Sequence, residues 1–391
     1  MGATKLAANP GFSAGLEGVT AARSGLCSID GQQGRLYYLG YSIEELAQYS
    51  SFEEVCFLLW RRRFPTASEL KALKKRFVEC RALPEEIAPH IERLPKDAAP
   101  MGVLRTLASL LGNLDKNQDN GVAANEERAV RMTAQFPTMM AAFHRLRRGQ
   151  KAVAPHPSLD HAANFLYMLS GSQPTKDEAR LMDVALILHA DHEMNASTFS
   201  SLVTASTLSD LYSAVVSGIG TLKGPLHGGA NEEVLKMIDA IGDASKVEAY
   251  VRESFRAKKY RIMGFGHRIY KTVDPRARVF KEYARNVVAG TDSERLFNIN
   301  VRLEEVMQAQ VGSKGIYANV DLYSGLVYQA LGIPPDLFTP IFAIARVAGW
   351  TAHVLEYWQE NRLFRPNAEY VGPEPRSYEP VEKRRQDYSK A

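Results

Sequence analysis

Apolar residues recur every three or four positions along most of the chain, which is the spacing of amphipathic helices. Two of these runs start with capping boxes, one from Ser51 to Glu54 and one from Thr66 to Glu69. Pro65 is expected to stop the first of the two helices. The same periodicity predicts helices near residues 101–112, 127–145, 158–170 and 176–190, and a long apolar helix over residues 340–355.

Signals for β-strands are scarce, because alternating β-branched runs are few. At most one short hairpin is expected, around residues 34–38 before Gly40. No internal repeat and no low-complexity segment interrupts the helical pattern. The fold class is therefore predicted to be all-α. About ten residues at the N-terminus are expected to be disordered, and the charged, proline-rich C-terminal segment is expected to wrap or dangle.

The composition is that of an ordinary globular protein, with 391 residues, 45% hydrophobic and 24% charged. At roughly 100–200 residues per domain, this length predicts two domains. The formal net charge of +4 is too small to indicate nucleic-acid binding, although a slight positive excess suits anionic substrates.

The three cysteines, Cys27, Cys56 and Cys80, lie far apart without CxxC spacing. Neither a structural zinc site nor a disulfide framework is expected, and a reducing compartment fits this usage. The N-terminus lacks the apolar core of a signal peptide, and no apolar run is judged long enough to span a bilayer. We therefore expect a cytoplasmic protein without a membrane segment.

The most informative segment is a glycine-rich turn from Gly224 to Asn231, which carries His227 just before a predicted helix. Unpaired backbone N–H groups and the positive end of the helix dipole collect there. Because positive potential disfavours an imidazolium, His227 is expected to be a neutral hydrogen-bond donor. The alternative is a loop histidine with an ordinary structural hydrogen bond.

A second glycine turn, from Gly264 to Lys271, carries His267. It lacks a preceding strand and the full fingerprint of a dinucleotide-binding loop. Asp274 and Pro275 mark the start of the next helix. The cations here suit phosphate or carboxylate groups, although the cluster taken alone favours a solvated basic face. These cations are Arg268, Lys271, Arg276 and Arg278.

Asp321 lies between apolar neighbours in the segment from Asn319 to Gly325. If its carboxyl is partly buried, the carboxyl pKa is raised and the group can serve as a general base. The alternative is a helix N-cap, which is the commonest role of aspartate at such a position.

The segment from His189 to Glu193 invites a metal interpretation. Its spacing matches no zinc-binding helix motif and no third ligand has a diagnostic position, so no metal is expected. His189 and His192 would instead share a helix face and line a polar pocket.

Arg346 lies within an apolar run of the long C-terminal helix, where a buried guanidinium requires an anionic partner. That partner is either a structural carboxylate or the carboxylate of a ligand. Arg365, followed by Pro366, is less informative on its own.

Together these segments resemble the citrate synthase family across nearly the whole chain. The matching segments are residues 15–19, 51–55, 189–198, 224–231, 264–271, 274–276, 319–325, 365–366 and 370–373. The resemblance implies an all-α homodimer. It divides the chain into a large domain, residues 1–226 and 332–391, and a smaller mobile domain, residues 227–331.

The resemblance also implies roles for individual residues. Asp321 matches the base that removes a methyl proton from acetyl-CoA, and His227 matches the neutral donor that stabilises the enolate. His267 matches the group that polarises the carbonyl of oxaloacetate and protonates the new alkoxide. The oxaloacetate and citrate ligands of the family match His192, Arg276, Arg346 and Arg365, the last contributed across the dimer interface.

The family binds CoA at positions that correspond here to Arg261, Ile262, Met263, Gly264, Phe265, Lys271, Lys314 and Asn319. Acetyl-CoA would be a cosubstrate, with no tightly bound cofactor and no metal. Lys271 stands where some animal members have arginine, which keeps the charge but loses bidentate phosphate geometry. Leu39 stands where many relatives have arginine, which would alter a local salt bridge.

2-Methylcitrate synthase, which uses propionyl-CoA, is the nearest alternative. Relatives of that type often read Phe-Ser-Ala after the base, whereas this chain reads Tyr323, Ser324 and Gly325, which favours citrate. A non-catalytic CoA- or citrate-binding relative is a further alternative. Such a protein need not keep both histidines and the aspartate, and this chain has all three.

Overall fold

The computed structural model describes residues 12–257 and 262–384, and helices dominate this part of the chain. The helices are α1 (Ile43–Tyr49), α2 (Phe52–Arg61), α3 (Ala67–Cys80), α4 (Ile87–Arg93), α5 (Pro100–Leu114), α6 (Val122–Arg147), α7 (His161–Ser170), α8 (Lys176–His189), α9 (Ala196–Ser206), α10 (Leu211–Leu222), α11 (Ala230–Ile241), α12 (Val247–Ala257), α13 (Pro275–Val288), α14 (Ser293–Val311), α15 (Asp321–Ala330) and α16 (Phe338–Tyr357). Short 3₁₀ turns lie at Ala14–Leu16, Ala244–Lys246, Gly312–Lys314, Pro335–Leu337, Trp358–Glu360 and Val381–Lys383. The all-α prediction is confirmed.

One small antiparallel sheet accompanies the helices, with strands in the order β1 (Cys27–Asp30), β2 (Arg35–Tyr38) and β3 (Tyr41–Ser42). The register pairs Cys27 with Tyr38 and Asp30 with Arg35. The hairpin expected around residues 34–38 is therefore present, and it gains a short third strand. The Tyr38 hydroxyl leaves the sheet to donate to the Asp191 carbonyl at 2.8 Å, so the sheet anchors the segment that follows α8.

Local sequence signals set the starts of the helices more reliably than their ends. In α2 the Ser51 hydroxyl accepts the N–H of Glu54, and the Glu54 side chain accepts the N–H of Ser51, as the capping box predicts. α3 begins with the same pair of bonds. The expected stop at Pro65 is wrong, because α2 already ends where Arg62 adopts a left-handed conformation with φ of 59°.

α16 forms the centre of the core. Its residues from Phe338 to Leu355 are all buried, and the helix packs against α2, α6, α8, α9 and α10. The sequence analysis found no apolar run long enough to cross a bilayer, whereas residues 335–360 are long and apolar enough by length and composition. That apolar window is wholly buried inside the fold, which is the environment of a core helix.

The chain divides into two compact units. Residues 22–363 form one, and the described segments 12–21 and 364–384 belong to the other. The division into residues 1–226, 227–331 and 332–391 stays a prediction. The N-terminal residues expected to be disordered lie outside the described residues.

α16 approaches the segment after α8 so closely that only glycine fits at position 349. A Cβ at Gly349 would lie 2.4 Å from the Ala190 carbonyl oxygen and 2.7 Å from Asp191 Oδ1. We expect Gly349→Ala to lower the free energy of unfolding by about 1–3 kcal/mol, since overpacking in a tight core costs that much. Chemical denaturation of both proteins measures the difference.

Gly220→Ala in α10 is the matched control, because a Cβ there would meet nothing within 4 Å. Removing a helical glycine at an open position should raise the unfolding free energy by roughly 0.5–1 kcal/mol. Equal effects of the two substitutions would contradict the close approach of α16.

Candidate active site

The turn that carries His227 folds back onto the end of α10. The Gly228 N–H donates to the Leu222 carbonyl at 3.1 Å, and the His227 N–H donates to the Gly224 carbonyl at 3.0 Å. A Cβ at Gly228 would lie 2.5 Å from the Leu222 carbonyl oxygen, so a larger residue would push the turn away from the helix. The turn leads directly into α11 and fixes where His227 projects.

The hydrogen bonds of His227 fix its tautomer. The Ser197 N–H donates to Nε2 at 3.3 Å, and Ser197 Oγ lies 2.8 Å from the same nitrogen. Because a backbone N–H can only donate, Nε2 accepts and the proton of the neutral ring lies on Nδ1. Trp350 Nε1 donates to Ser197 Oγ at 3.1 Å and orients the hydroxyl. Burial, aided by the Arg346 charge, lowers the pKa of His227 to about 4, so the ring is neutral near pH 7.

A short bridge between two loops positions the second histidine and the aspartate. Phe265 and Ala318 form an antiparallel bridge, the Gly266 N–H donates to the Tyr317 carbonyl, and the Asn319 N–H donates to the Gly264 carbonyl. Gly264 has φ of +80°, which favours glycine. The bridge therefore joins the loop before His267 to the loop before Asp321.

His267 carries the opposite tautomer. Its Nδ1 accepts the backbone N–H groups of Ile269 at 3.1 Å and Tyr270 at 3.3 Å, so the neutral ring holds its proton on Nε2. Burial lowers the pKa of His267 to about 4, with Arg276 lowering it further, Asp274 opposing and Lys271 adding a smaller lowering effect. Nε2 is thus a neutral donor at physiological pH.

Asp321 is the first residue of α15, and Val320 occupies the N-cap position, so Asp321 is not the helix cap. The Asp321 N–H donates to Asn319 Oδ1 at 3.0 Å, while Asn319 Nδ2 donates to the Gly266 carbonyl at 2.9 Å. Burial raises the pKa of the Asp321 carboxyl to about 6, with Arg276 lowering it and Asp274 raising it. A carboxylate with this pKa is well suited to accept a proton near neutral pH.

α15 also approaches the turn of His227. A Cβ at Gly325 would lie 3.2 Å from the Asn231 carbonyl oxygen and 3.4 Å from the Phe338 ring. Because Asn231 lies four residues after His227, glycine at position 325 lets the aspartate-bearing helix pack next to the histidine-bearing turn.

Arg276 and Asp274 form a buried ion pair at the start of α13. Arg276 Nε donates to Asp274 Oδ1 at 3.1 Å and Nη2 donates to Oδ2 at 2.7 Å. Burial alone would lower the pKa of Arg276, but Asp274 raises it above its ordinary value. The expected ligand-binding arginine therefore already has a carboxylate partner, and both members of the pair act on His267 and Asp321.

Arg346 lies close to His189 and His227, and among the described residues it forms no ion pair with a carboxylate. It is 1% exposed, its Nε donates to the His189 carbonyl at 2.8 Å, and its Nη2 is buried with no hydrogen-bond partner in the described structure. The guanidinium stacks over Phe342 at 4.8 Å, and the His227 ring lies 6.3 Å from the same ring. Burial lowers the pKa of Arg346 to about 10, so it remains a cation.

His192 lies close to His267. Their ring centroids lie 5.3 Å apart, and His192 Nε2 lies 3.2 Å from the Tyr270 hydroxyl. The shared helix face expected for His189 and His192 is wrong, because α8 ends at His189 and His192 lies in the following turn. Burial lowers the pKa of His192, with nearby Arg276 lowering it further.

The residues expected to contact CoA lie in and around the two loops that the Phe265–Ala318 bridge joins, which we call the bridged loops. Ile262 and Phe265 are buried, whereas Lys271 and Lys314 are exposed and Met263 and Asn319 are half-buried. Lys271 Nζ donates to the Arg268 carbonyl at 3.3 Å, and a Cβ at Gly315, next to Lys314, would lie 4.0 Å from Lys271 Cβ. The two lysines thus belong to one exposed cationic edge. Arg261 lies outside the described residues.

Arg365 belongs to the other compact unit, where it is exposed and donates to the Pro366 carbonyl at 2.6 Å. Its role at the site stays a prediction. Across residues 12–257 and 262–384, no three histidine, cysteine, aspartate or glutamate side chains form a group that could hold a metal ion.

Sequence reasoning missed several residues that hold the site together. Ser197, Trp350, Tyr270, Asp191 and His353 contact its groups, yet most of them lie in helices or turns without a distinctive motif. Asp274 was interpreted only as a helix start, although its carboxylate also binds Arg276. A polar residue within an apolar helix was the one available signal for His353.

Comparison with known proteins gives consistent matches over almost the full length. The family model described as "Citrate synthase, C-terminal domain" matches residues 15–367. A citrate synthase of Deinococcus radiodurans is 48% identical over 372 residues, 95% of this chain and 98% of that protein. A 2-methylcitrate synthase of Shewanella oneidensis is 40% identical over 375 residues, with 95% and 98% coverage.

Solved structures agree with the sequence matches. The ternary complex of carboxymethyl coenzyme A and oxaloacetate with the citrate synthase of Thermoplasma acidophilum has a TM-score of 0.90 to this chain. The two chains are 36% identical, and the alignment covers 95% of this chain and 98% of that one.

The hydrogen bonds predict a spectroscopic difference between the two donor histidines. In ¹⁵N-histidine NMR we expect His227 to be protonated on Nδ1 and His267 on Nε2, with both rings neutral until the pH approaches about 4. Asparagine substitution of each histidine assigns its signals. Identical tautomers, or titration of either ring near its usual pKa of about 6.5, would contradict this geometry.

Proposed function

The chain belongs to the citrate synthase family and is an acyltransferase of the citrate synthase type, and we propose that it joins the methyl carbon of acetyl-CoA to the keto carbon of oxaloacetate. The citryl-CoA formed is then hydrolysed to citrate and CoA. The observation that carries this proposal is that two neutral imidazoles and a carboxyl with a pKa raised to about 6 lie on elements that pack against one another. The Phe265–Ala318 bridge joins the loops of His267 and Asp321, and α15 packs next to the turn of His227. Acetyl-CoA and CoA act as cosubstrates, and no metal takes part.

Asp321 and His227 form the enolate of acetyl-CoA in this proposal. The α-carbon of a thioester is a very weak acid, so a carboxylate base alone is not sufficient. His227 Nδ1–H donates to the thioester oxygen as negative charge develops there, while Asp321 takes the methyl proton. A preorganised donor in a site closed to water stabilises such a transition state strongly, since loss of one typically costs about 100–1,000-fold in turnover.

His267 prepares the second substrate. Its Nε2–H polarises the keto oxygen of oxaloacetate and then protonates the alkoxide formed when the enolate attacks. The unpaired Nη2 of Arg346 supports binding of one substrate carboxylate, because a buried cation gains most from an anion that arrives without its own cation. Arg276 and His192 bind the remaining polar atoms, and Arg365 is contributed across a homodimer interface.

CoA occupies the exposed edge of the bridged loops. Lys271 and Lys314 bind its phosphates, the backbone of residues 262–265 contacts its arm, and Asn319 links that backbone to α15. Arg261 is assigned to the same subsite by resemblance alone. We further propose that residues 227–331 move as a small domain, so that the base and both donors come together only after oxaloacetate binds. A cytoplasmic location remains part of the same proposal.

The nearest alternative is 2-methylcitrate synthase, since one such relative is 40% identical. Two features near the base support acetyl-CoA. Alanine at position 325, which relatives of that type often carry, would place its Cβ 3.2 Å from the Asn231 carbonyl oxygen, so this chain's close approach of α15 to Asn231 suits glycine. The Tyr323 hydroxyl donates to Glu304 at 2.6 Å and holds the same helix.

The choice of thioester is tested by comparing kcat/KM for acetyl-CoA and propionyl-CoA with saturating oxaloacetate. We expect acetyl-CoA to be favoured by roughly 10–200-fold, because one methylene in an apolar pocket is worth about 1–3 kcal/mol. Equal or higher efficiency with propionyl-CoA would reverse the assignment. Absence of turnover with either thioester would favour a non-catalytic CoA-binding relative.

Asp321→Asn tests the base. The amide keeps the volume and the position at the start of α15 but cannot accept the methyl proton, so turnover should fall by at least about 100-fold. Oxaloacetate affinity, measured by calorimetry, should stay nearly unchanged. Asp336→Asn is the matched control, because Asp336 is an exposed carboxylate paired with Arg147. Loss of oxaloacetate binding with turnover per bound substrate preserved would exclude the base role.

A further inference from the structure

One face of α16 holds the turn of His192 through three successive contacts. Arg346 Nε donates to the His189 carbonyl at 2.8 Å, the Gly349 N–H donates to the Ala190 carbonyl at 3.1 Å, and His353 Nε2 lies 3.0 Å from Asp191 Oδ2. Residues 346, 349 and 353 lie on one face of the helix by their spacing. Three consecutive residues of the turn are therefore bound to the helix that carries Arg346.

Asp191 and His353 form a buried ion pair on this contact face, next to Arg346. Asp191 is fully buried and His353 is 2% exposed. His353 Nε2 contacts both carboxylate oxygens, at 3.0 and 3.2 Å, and its Nδ1 lies 3.4 Å from Ser24 Oγ. Nε2 thus faces a carboxylate and Nδ1 faces a hydroxyl that can accept a hydrogen bond, so this site can hold an imidazolium.

The charge of Asp191 also acts on Arg346. Within the described part of the chain, Arg346 forms no carboxylate ion pair, and its buried Nη2 has no partner. A carboxylate nearby with an uncompensated charge would attract the guanidinium and compete with any ligand carboxylate. Neutralising Asp191 therefore leaves more of the positive potential of Arg346 for an arriving anion.

We propose that His353 is a positioning residue which, as an imidazolium, neutralises Asp191 and thereby keeps Arg346 available for a carboxylate of the substrate. This inference rests on the proposed role of Arg346 in binding a dicarboxylate. In this inference the affinity for the dicarboxylate depends on the Asp191–His353 pair, which does not itself contact the substrate. Burial alone would lower the pKa of His353, but the Asp191 carboxylate raises it above its ordinary value, which supports the charged ring.

The competing explanation is that the pair only stabilises the fold. Buried ion pairs often contribute little net stability, and removing one partner alone is strongly destabilising. A purely structural pair would affect stability and both substrates together. A positioning pair would change the binding of oxaloacetate and leave that of acetyl-CoA alone.

The test compares steady-state kinetics of His353→Gln with those of the unchanged protein. Glutamine can still donate to Asp191 but carries no charge, so the carboxylate is left uncompensated. The KM for oxaloacetate should rise by roughly tenfold or more, as expected for an added charge interaction in the protein interior. The KM for acetyl-CoA and the kcat at saturating oxaloacetate should each stay within about twofold, within the range expected of substitutions away from special features.

Rescue distinguishes charge from shape. Combining His353→Gln with Asp191→Asn gives a neutral pair of similar size, and the KM for oxaloacetate should return to within about threefold of the original value. Thr351→Val is the matched control, because it removes a buried hydrogen bond to Trp60 at 2.9 Å on the same helix without changing charge. It should leave both KM values unchanged.

The outcomes separate this inference from the proposed function. If the unchanged protein does not turn over oxaloacetate and acetyl-CoA, the function fails. If it does turn over both substrates, two results overturn only the inference. One is an unchanged KM for oxaloacetate in His353→Gln. The other is a lower kcat with a higher KM for both substrates that Asp191→Asn does not rescue. If His353→Gln does not fold, Asp191→Asn alone decides. Oxaloacetate binding by calorimetry should then be as tight as before or tighter, and tenfold weaker binding would overturn the inference.

Discussion

The site depends on the burial of charges inside a helical core, with partners that neutralise some of them and not others. Arg276 has Asp274, and Asp191 has His353, whereas Nη2 of Arg346 has no partner among the described residues. An isolated buried cation is costly to the fold, so its retention demands a compensating interaction. A ligand carboxylate can supply this interaction, because it forms the ion pair that the fold itself does not provide for Arg346.

Close approach of backbones gives this electrostatic arrangement its precision. Gly228, Gly325 and Gly349 lie where α10, α15 and α16 come so near to other backbone that a Cβ would have to displace it. Each glycine fixes one functional element: the turn of His227, the helix of Asp321 and the segment before His192. The charges can be positioned accurately because hard van der Waals contacts, rather than flexible side chains, set the distances between these elements.

The fold class and the capping boxes of α2 and α3 could be predicted, because periodicity and caps are local signals. The glycine turns that carry His227 and His267 were also visible in the sequence, whereas the roles of these histidines and of Asp321 stay predictions. The left-handed Arg62 that ends α2 has no local signal, since only glycine or asparagine would announce it. The tautomer of His227 depends on Ser197, a distant donor, whereas that of His267 depends on how the loop directly after it folds back onto the ring. Pairing of Asp191 with His353 joins residues 162 positions apart, which no short-range pattern reveals.

In the proposed mechanism, the neutrality of the two donor histidines is a condition for the base to work. An imidazolium at either position would stabilise the Asp321 carboxylate, lower its pKa and compete for the proton-accepting oxygens. Burial prevents this by lowering the pKa of both rings to about 4 while raising that of Asp321 to about 6. The same desolvation therefore acts on an acid and two bases in opposite directions. In the proposed mechanism it supplies a carboxylate that can accept a proton and two uncharged N–H donors, which is the combination that enolate formation requires.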